Sequence, residues 1–404
     1  MKEFNFTKYE DAIKIYREKN LMQALYDEGE IIMDQVLVCL HGDDHRKRRK
    51  VENKVFSRET FRLYETDIYP VTLDQTIQPF LKKGKMDLVD FGFRVLLNLT
   101  ADFSGVDRPE KSPEETETLI KLLKIFASGA TLAHSTRDRD EVKEEIRVAL
   151  KEFETKFLGP SIKRREELIK NSNENELPTG LLLNRQDILT ALLNNQDKLQ
   201  LPYDVLMREI AFYLLAGAQT SIHSLVHTFH EIIKWVEKNP DKKKNIYDPI
   251  FVQKAVHEST RLHPSSPVAW RKPTCPVHLP NNEEVKEGDK VIIDLYACNR
   301  DEEMFGEDAK EFNPNRTAPS GQRVYGLSFG LGMHACIGRN LAAGVVPKED
   351  TDPNDHHYGT VALILNKLFE YNAQPDPDNA PKMDEKTKRP NWGYYPIILN
   401  NNKA

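Results

Sequence analysis

The first 240 residues carry a hydrophobic pattern that predicts mostly helices. In residues 87–105 and 112–130, apolar side chains recur at three- and four-residue intervals, which places them on one face of a helix. Ser112 and Pro113 predict the N-terminal cap of the second helix. Residues 139–170 form a long, charged, amphipathic segment that we expect to kink or break at Gly159-Pro160, ahead of a loop over residues 171–181.

The longest helical pattern runs from Leu201 to Asn239, with Pro202 near its start and Pro240 directly after it. At about 1.5 Å per residue this helix would exceed about 50 Å, enough to cross a whole domain. After residue 265, short apolar runs separated by Gly and Asn predict strands, and residues 393–400 predict a terminal strand. The pattern contains no internal repeat, so we expect residues 1–404 to form a single, mainly α domain with a small β portion.

Composition and charge fit a globular protein and exclude several other classes. Hydrophobic residues make up 39% and charged residues 30%, and the formal net charge of −6 with a pI of about 6.1 argues against nucleic-acid binding. The four cysteines contain no C-x-x-C pair, which argues against a disulfide framework or a closed zinc site. The N-terminus lacks the apolar core of a signal peptide, and no apolar run approaches the roughly 20 residues that a bilayer needs. We therefore expect a cytoplasmic protein without a membrane contact.

Three short stretches carry candidate chemistry. "AGAQTS" (216–221) lies in the middle of the long helix, where Gly217 weakens the helix and Thr220 can bond the carbonyl four residues earlier. Taken alone, it favours close packing against another helix. Glu258 and Arg261 lie at i and i+3 of a helix, which taken alone favours a surface ion pair. "FGLGMHACIG" (329–338) leaves Cys336 open as a buried thiol, a zinc ligand, a nucleophile or a haem ligand.

Together, and in this order, the three stretches resemble the cytochrome P450 family. "AGAQT", the E-x-x-R of residues 258–261 and the F-x-x-G-x-x-x-C-x-G loop of residues 329–338 match family motifs. Residues 297–316, which end in Arg316, resemble the segment ahead of the family's cysteine loop, and residues 45–49 resemble its early H-x-x-x-R. The resemblance covers about residues 20–400 and implies a P450-like fold with haem b between the long central helix and the cysteine loop.

The resemblance implies a role for each matching residue. Cys336 becomes the axial thiolate of the haem iron, which favours O–O cleavage, and Glu258, Arg261 and Arg316 become a buried network that holds the cysteine loop. Gly330, Gly332 and Gly338 let the loop point amide N–H groups at the sulfur. The remaining candidates are, at the catalytic site, Thr220, Gln219 and Gly217; around the cofactor, His45, Arg49, Arg271, His334, Phe329, Gly330 and Gly338; and in the substrate pocket, Phe212, Leu215, Ala216, Pro267, Val268 and Ala269.

The implied activity is that of a bacterial-type monooxygenase, which inserts one O2-derived oxygen atom into a small organic substrate by hydroxylation, epoxidation or oxidative dealkylation. Electrons would come from NAD(P)H through a reductase and a ferredoxin or flavodoxin, and we expect Arg46, Lys47, Arg48 and Lys50 to face that partner. We expect a monomer. The alternatives are a peroxide-driven peroxygenase of the same fold, or a non-catalytic haem-binding sensor or carrier.

Three features depart from the family pattern. Gln219 stands where the family commonly has Asp or Glu, and an amide cannot act as an acid at neutral pH. Only 44 residues precede His45, so we expect an abbreviated N-terminal region before about residue 40. The helix after Cys336 is expected to break at Pro347, with a polar insertion over residues 347–359 near the proximal face. We expect the two histidines of that insertion, His356 and His357, to lie in a solvated loop and not to bind a metal.

Overall fold

We describe the fold from a computed structural model, which covers residues 2–110, 112–171, 187–319 and 321–400. The described ranges contain seventeen α-helices: α1 Tyr9–Arg17, α2 Glu30–Met33, α3 Gly42–Glu52, α4 Arg58–Leu63, α5 Tyr69–Lys83, α6 Leu88–Ser104, α7 Pro113–Ala130, α8 Arg139–Phe153, α9 Gly159–Asn171, α10 Ile188–Leu193, α11 Gln196–Leu199, α12 Tyr203–Lys238, α13 Pro249–Leu262, α14 Leu295–Cys298, α15 Glu302–Phe305, α16 Arg339–Ala343 and α17 Thr360–Glu370. They also contain eleven strands: β1 Glu3–Phe6, β2 Leu21–Gln23, β3 Lys85–Asp87, β4 Val268–Pro273, β5 Val277–His278, β6 Glu284–Val285, β7 Lys290–Asp294, β8 Gln374–Pro375, β9 Lys382–Met383, β10 Trp392–Tyr394 and β11 Pro396–Ile398. Apart from Asn171, the last residue of α9, the loop predicted over residues 171–181 lies outside the described residues.

The three helices with the strongest apolar periodicity are confirmed as α6, α7 and α12. The Ser112 hydroxyl accepts the Glu115 N–H at 3.1 Å, which is the predicted cap of α7. α6 lies along α12, and a glycine on each helix allows the approach. A Cβ on Gly92 would lie 3.3 Å from Ile222, and one on Gly217 would lie 2.7 Å from the Thr100 methyl group. Gly217, in the middle of α12, therefore allows close packing against another helix, which is what its stretch of sequence predicts when taken alone.

The predicted kink in the charged segment is displaced toward the N-terminus. α8 and α9 are joined by one π-helical turn, Glu154–Leu158, and the chain remains helical through Gly159-Pro160. Pro160 has no N–H to donate to the preceding turn, and a π-helical turn changes which carbonyls need a donor. The segment is thus distorted rather than broken.

The N-terminal residues form part of the main sheet, although their pattern predicted helix. The sheet has the strand order β1-β7-β4-β2, with β1 parallel to β7 and the other two pairings antiparallel. β1 and β2 are therefore its two edge strands, and both precede residue 24. The short N-terminal region ahead of His45 supplies both sheet edges and α1.

The chain end also differs from the prediction of one terminal strand. Residues 392–398 form two strands separated by Tyr395: β10 pairs with β9, whereas β11 lies between β3 and β8 in another sheet. The buried Tyr395 N–H donates to the Asp87 side chain at 2.9 Å, so the change of sheet is fixed by a specific contact.

Buried apolar side chains form two clusters. The larger cluster surrounds α6 and α12, and the smaller one lies between α1 and the four-stranded sheet. Across the described ranges, no helix is both long and apolar enough to cross a membrane.

Candidate active site

One cavity brings the cysteine loop to the middle of α12. It is lined by fifteen of the residues that the sequence analysis assigned to the site: Arg49, Phe212, Leu215, Ala216, Gly217, Gln219, Thr220, Val268, Ala269, Arg271, Phe329, Gly330, His334, Cys336 and Gly338. Neither Pro267 nor His45 lines this cavity. The Pro267 carbonyl instead accepts the N–H groups of Leu295 and Tyr296 at 2.9 and 3.2 Å, which ties the start of α14 to the segment before β4.

Two glycines allow the cysteine loop to turn on itself. Gly330 and Gly332 have φ values of +63° and +67°, a region that side chains disfavour, and a Cβ on Gly332 would lie 2.7 Å from the Tyr16 carbonyl oxygen. The turn is closed by the Cys336 N–H, which donates to the Phe329 carbonyl at 2.9 Å. Gly338 has φ −90° and therefore does not need to be glycine for its backbone angle.

The Cys336 side chain is exposed to the cavity. Burial raises the pKa of this thiol, while hydrogen bonding to the backbone of Gly338 and the charges of Arg49 and Arg339 oppose that rise. The loop thus directs donors and positive charge at the sulfur, as predicted, but they do not outweigh burial. A coordinated metal ion would supply the missing stabilisation, because it deprotonates a thiol ligand.

Glu258 and Arg261 form a buried pair, so the interpretation as a surface ion pair is wrong. Their side chains are 3% and 0% exposed, and Arg261 donates from Nε and Nη2 to the two carboxylate oxygens at 2.8 and 2.7 Å. Arg316 adds a third charge, donating from Nε to the same carboxylate at 3.0 Å. One carboxylate therefore neutralises part of two buried guanidinium groups, and Asp308, 2.7 Å from Arg316, contributes the rest.

Asn299 connects this network to the cysteine loop, and sequence reasoning missed it. Its side-chain NH2 donates to the Arg261 carbonyl and to the Ser328 hydroxyl, both at 2.9 Å, and its side-chain oxygen accepts the Leu327 N–H at 2.8 Å. Ser328 in turn donates to the Thr260 carbonyl at 2.6 Å. Asn299 lies within residues 297–316, which resemble the family segment ahead of the cysteine loop. That resemblance is the sequence signal by which its role could have been found.

Four cationic or titratable side chains gather on one side of the cysteine loop. Arg49 donates to the Ala335 carbonyl at 2.6 Å, and the buried Arg271 donates to the Gln23 side chain at 3.0 Å. The rings of His45 and His334 lie 4.7 Å apart, and none of their four nitrogens has a partner among the described residues. Burial, together with neighbouring arginines, lowers the pKa of His45 to about 4 and of His334 to about 3.

Arg48 does not face outward as the sequence analysis expected. It is buried and donates to Glu209 of α12 at 2.7 Å, and a second buried carboxylate, Glu52, accepts the Tyr213 hydroxyl at 2.6 Å. Burial, followed by the charge of Glu209, raises the pKa of Glu52 well above its ordinary value. The other basic residues of this run, Arg46, Lys47 and Lys50, are exposed.

On the opposite side of the cavity, the Thr220 hydroxyl donates to the Ala216 carbonyl at 2.8 Å, the back-bond that the sequence predicted. Its oxygen consequently remains available to accept a hydrogen bond. The Thr220 carbonyl accepts the Ser265 hydroxyl at 3.3 Å, which ties α12 to the segment after α13. Gln219 lines both this cavity and a neighbouring groove.

The helix after Cys336 ends earlier than Pro347. α16 stops at Ala343, and Gly344 turns the chain away with φ +70° and ψ −165°. Residues 344–359, which we term the closed loop, return so that Gly359 lies directly against Gly344, with no room for a side chain between them. The helical pattern then resumes in α17, as predicted.

The two histidines of the closed loop are partly buried and make specific contacts, whereas the prediction placed them in a solvated loop. His357 is paired with Glu65, contacts the Asn340 carbonyl at 2.8 Å and stacks on Phe61 at 5.7 Å. His356 contacts the side-chain oxygen of Gln253 at 2.7 Å. No group of three or more potential metal ligands occurs within the described ranges.

The whole fold matches cytochrome P450 structures. The crystal structure of CalO2 is similar to this chain with a TM-score of 0.74 at 17% sequence identity, covering 98% of this chain and 90% of that one. The structure of P450BioI in complex with acyl carrier protein ligated with hexadec-9Z-enoic acid gives the same TM-score and identity, with 98% and 92% coverage. These likenesses define the class of fold, a mainly helical P450 fold with a small β portion.

Sequence comparisons define the family. The cytochrome P450 family model matches residues 116–344, more than half of the chain. The putative cytochrome P450 YjiB of Bacillus subtilis is 24% identical over 338 residues, spanning 83% of this chain and 76% of that protein. Pulcherriminic acid synthase, also of Bacillus subtilis, is 24% identical over 350 residues, with 83% and 78% covered. The chain belongs to the cytochrome P450 family, and it is a P450 monooxygenase of the bacterial type, a haem-dependent oxidoreductase.

Proposed function

We propose that this chain is a haem-thiolate monooxygenase in which the Cys336 thiolate would hold the haem iron and α12 forms the opposite wall of the cavity. The observation that carries this proposal is the single cavity that both Cys336 and Thr220 line. When bound, the haem supplies the iron at which O2 is activated, and an axial thiolate favours O–O cleavage. The buried Glu258, Arg261 and Asn299 hold the cysteine loop in place through Ser328 and Leu327.

The hydrogen-bond donors beside the loop fit the two carboxylates of a haem. His45 and His334 have four unpartnered ring nitrogens, and Arg271 is a buried guanidinium bonded only to neutral groups among the described residues. Buried polar groups in native proteins are nearly always satisfied, and a carboxylate satisfies donors of this kind. In this proposal His45, Arg49, Arg271 and His334 bind the propionates, and Phe329 excludes water beside the sulfur.

Thr220 and Gln219 position water and protons on the oxygen side. Because the Thr220 hydroxyl hydrogen is donated to Ala216, its oxygen accepts a hydrogen bond from a water molecule and so holds that water in the cavity. The Gln219 amide can both accept and donate, so it orients a water but does not ionise. Gly217 allows α12 to approach Thr100 closely. Phe212, Leu215, Ala216, Val268 and Ala269 supply an apolar wall for a small organic substrate.

We further propose that residues 1–404 act as a single domain and as a cytoplasmic monomer. Two electrons would come from NAD(P)H through a reductase and a separate ferredoxin or flavodoxin. The exposed Arg46, Lys47 and Lys50 of α3 support docking of an acidic partner, since complementary charge speeds encounter. Turnover with ferredoxin and reductase, compared with turnover on hydrogen peroxide alone, separates this activity from that of a peroxygenase.

The test of the haem-thiolate assignment is the carbon-monoxide difference spectrum of the reduced protein. We expect a thiolate-type band in the wild type and its loss in Cys336→Ser. Cys39→Ser is the matched control, because Cys39 is a second partly buried thiol, and it should leave the band in place. A spectrum unchanged by Cys336→Ser would overturn the assignment.

A further inference from the structure

The guanidinium group of Arg389 is buried without a counter-ion. The residue is 9% exposed, and Nη1 donates to the Ser265 carbonyl at 2.9 Å. Its Nε has no hydrogen-bond partner among the described residues, and within the same ranges no carboxylate lies within 4 Å of the group. A buried charge that lacks a partner is strongly disfavoured, and such groups in native proteins generally meet a ligand or an ion.

Arg389 stands at the junction of two spaces. It lines the cavity that contains Cys336 and Thr220, and it also lines a groove of about 1790 Å³ that extends between α7, α12 and the β9–β10 hairpin. The apolar side chains of the groove near this point include Ile222, Val226 and Trp392. Ala127, Thr131, Gln219 and Arg389 line both spaces, so the guanidinium group lies where the groove adjoins the cavity.

The backbone on both sides of Arg389 is held in place. The Lys388 N–H donates to the His134 carbonyl at 2.8 Å, and the Pro390 carbonyl contacts Nε2 of the buried His227 at 2.8 Å. One strand pairing, between Ser135 and Thr387, ties the same hairpin loop to the α7–α8 connection. The guanidinium is thus positioned by the fold rather than placed at the end of a free loop.

Two histidines face the same region. His223 is 7% exposed and lines the groove one turn beyond Gln219, and among the described residues only the backbone of His263 approaches its ring as a hydrogen-bond partner. His134 lines the cavity, and its Nε2 has no partner among the described residues. Burial lowers the pKa of both histidines, and the charge of Arg389 adds to that lowering.

Arg389 is not one of the cations assigned to the haem carboxylates. Arg49 donates to the Ala335 carbonyl of the cysteine loop, and the ring of His45 lies 4.7 Å from that of His334. Arg389 instead reaches Ser265, whose hydroxyl donates to the Thr220 carbonyl at 3.3 Å on the α12 side. The contacts of Arg389 thus lie on the α12 side of the cavity and not on the cysteine loop.

We propose that Arg389 binds the carboxylate of an apolar organic acid, and that this acid is the substrate admitted to the cavity. The apolar body of the molecule contacts the groove and the α12 wall, and the carboxylate accepts hydrogen bonds from the guanidinium. The part of the inference that makes the acid a substrate rests on the proposed function; the binding of the acid does not.

Calorimetric titration of the haem-loaded protein tests the inference without requiring turnover. The probes are two matched pairs, dodecanoic acid with methyl dodecanoate and lithocholic acid with methyl lithocholate, at a pH at which the acids are ionised. A hydrogen-bonded charge pair corresponds to at least about tenfold in affinity. We expect the acid of at least one pair to bind about ten times more tightly than its ester. Arg389→Gln should abolish that preference, and Arg389→Lys should retain part of it.

Lys388→Gln is the matched control, because it removes an equal charge from the adjacent, exposed residue and should keep the preference. Haem content, measured alongside, distinguishes a binding residue from one that holds the cofactor: Arg389→Gln should retain wild-type haem. Equal binding of acid and ester in both pairs, an acid preference that survives Arg389→Gln, or loss of haem in that variant would each overturn the inference. The carbon-monoxide spectrum reports only on Cys336, so failure of the proposed function is recognised separately.

Discussion

Gln253 holds the base of the closed loop, and its replacement by leucine should open that loop. The side chain is buried on α13. Its amide nitrogen lies close to four carbonyl oxygens: Ala343 at 3.2 Å, and Val345, His357 and Tyr358 at 3.0 Å each. Its oxygen also contacts His356 at 2.7 Å. The amide has only two hydrogens, so it satisfies two carbonyls at a time and shares them among the four.

Gln253→Leu keeps the side-chain volume but removes two donors and one acceptor. At about 1 kcal/mol net for each hydrogen bond, we expect the free energy of unfolding to fall by about 3 kcal/mol. If the loss is confined to the loop, the amide of Val345, which donates to the His357 carbonyl at 3.0 Å, should exchange its hydrogen about 100-fold faster.

Urea unfolding followed by circular dichroism measures the global loss, and hydrogen exchange read by mass spectrometry measures the local one. Lys254→Ala, on the exposed side of the same helix turn, should change neither. A loss below about 1 kcal/mol, together with unchanged exchange in residues 345–358, would refute the reasoning, because the carbonyls would then be satisfied without Gln253.

Three further predictions concern buried groups. Glu258→Ala leaves two buried guanidinium groups without their shared carboxylate, and we expect urea titration to show that the free energy of unfolding falls by about 3–5 kcal/mol. Asp308→Asn, at the exposed end of the same network, should lower it by less than about 1 kcal/mol. Similar losses in the two variants would contradict this ranking. Gly217→Ala places a methyl group 2.7 Å from that of Thr100 and should lower the free energy of unfolding by about 1–3 kcal/mol. Adding Thr100→Ser removes the second methyl group and should recover about 1 kcal/mol in a double-mutant cycle. Strictly additive effects of the two substitutions would exclude the clash. Burial and the charge of Glu209 raise the pKa of Glu52. The folded protein therefore keeps a proton that the unfolded chain releases. As a result, the free energy of unfolding falls as pH rises from the ordinary carboxyl range through the raised pKa, by up to about 1.4 kcal/mol per pH unit. Unfolding measured from pH 5 to 9 should therefore show a flatter profile in Glu52→Gln; an unchanged slope would place the proton elsewhere.

The sequence was most informative where a signal repeats over many residues or lies within one turn of helix. The apolar faces of α6, α7 and α12 repeat over several turns, so their existence and approximate ends could be predicted. Glu258 and Arg261 lie on the same helix face, so their pairing could be predicted as well. Their burial was expected only from the family resemblance and not from their spacing, because it depends on the carbonyls of Asn299 and Ala309, which accept from Arg261 at 2.5 and 2.7 Å and lie far along the chain.

The predictions that were wrong concern residues whose structure depends on partners far away in the sequence. β1 has only four residues, and its strand character comes from pairing with β7 almost 290 residues later. Arg48 lies in a run of basic residues that is typical of an exposed surface, yet Glu209 on α12 draws it inward. For the closed loop, composition predicted solvent exposure, whereas Gln253 and Glu65 bind its two histidines and its base.

The contact between Gly344 and Gly359 has a consequence for how this protein can change. Because the chain leaves and returns at one point, residues 345–358 form an insertion, and its length does not affect the position of Cys336. Evolution or protein engineering can therefore shorten this insertion, lengthen it or replace it with a folded module without moving the cysteine. The junction between α16 and α17 is therefore a place where residues can be inserted while the two glycines keep the ends of the loop together.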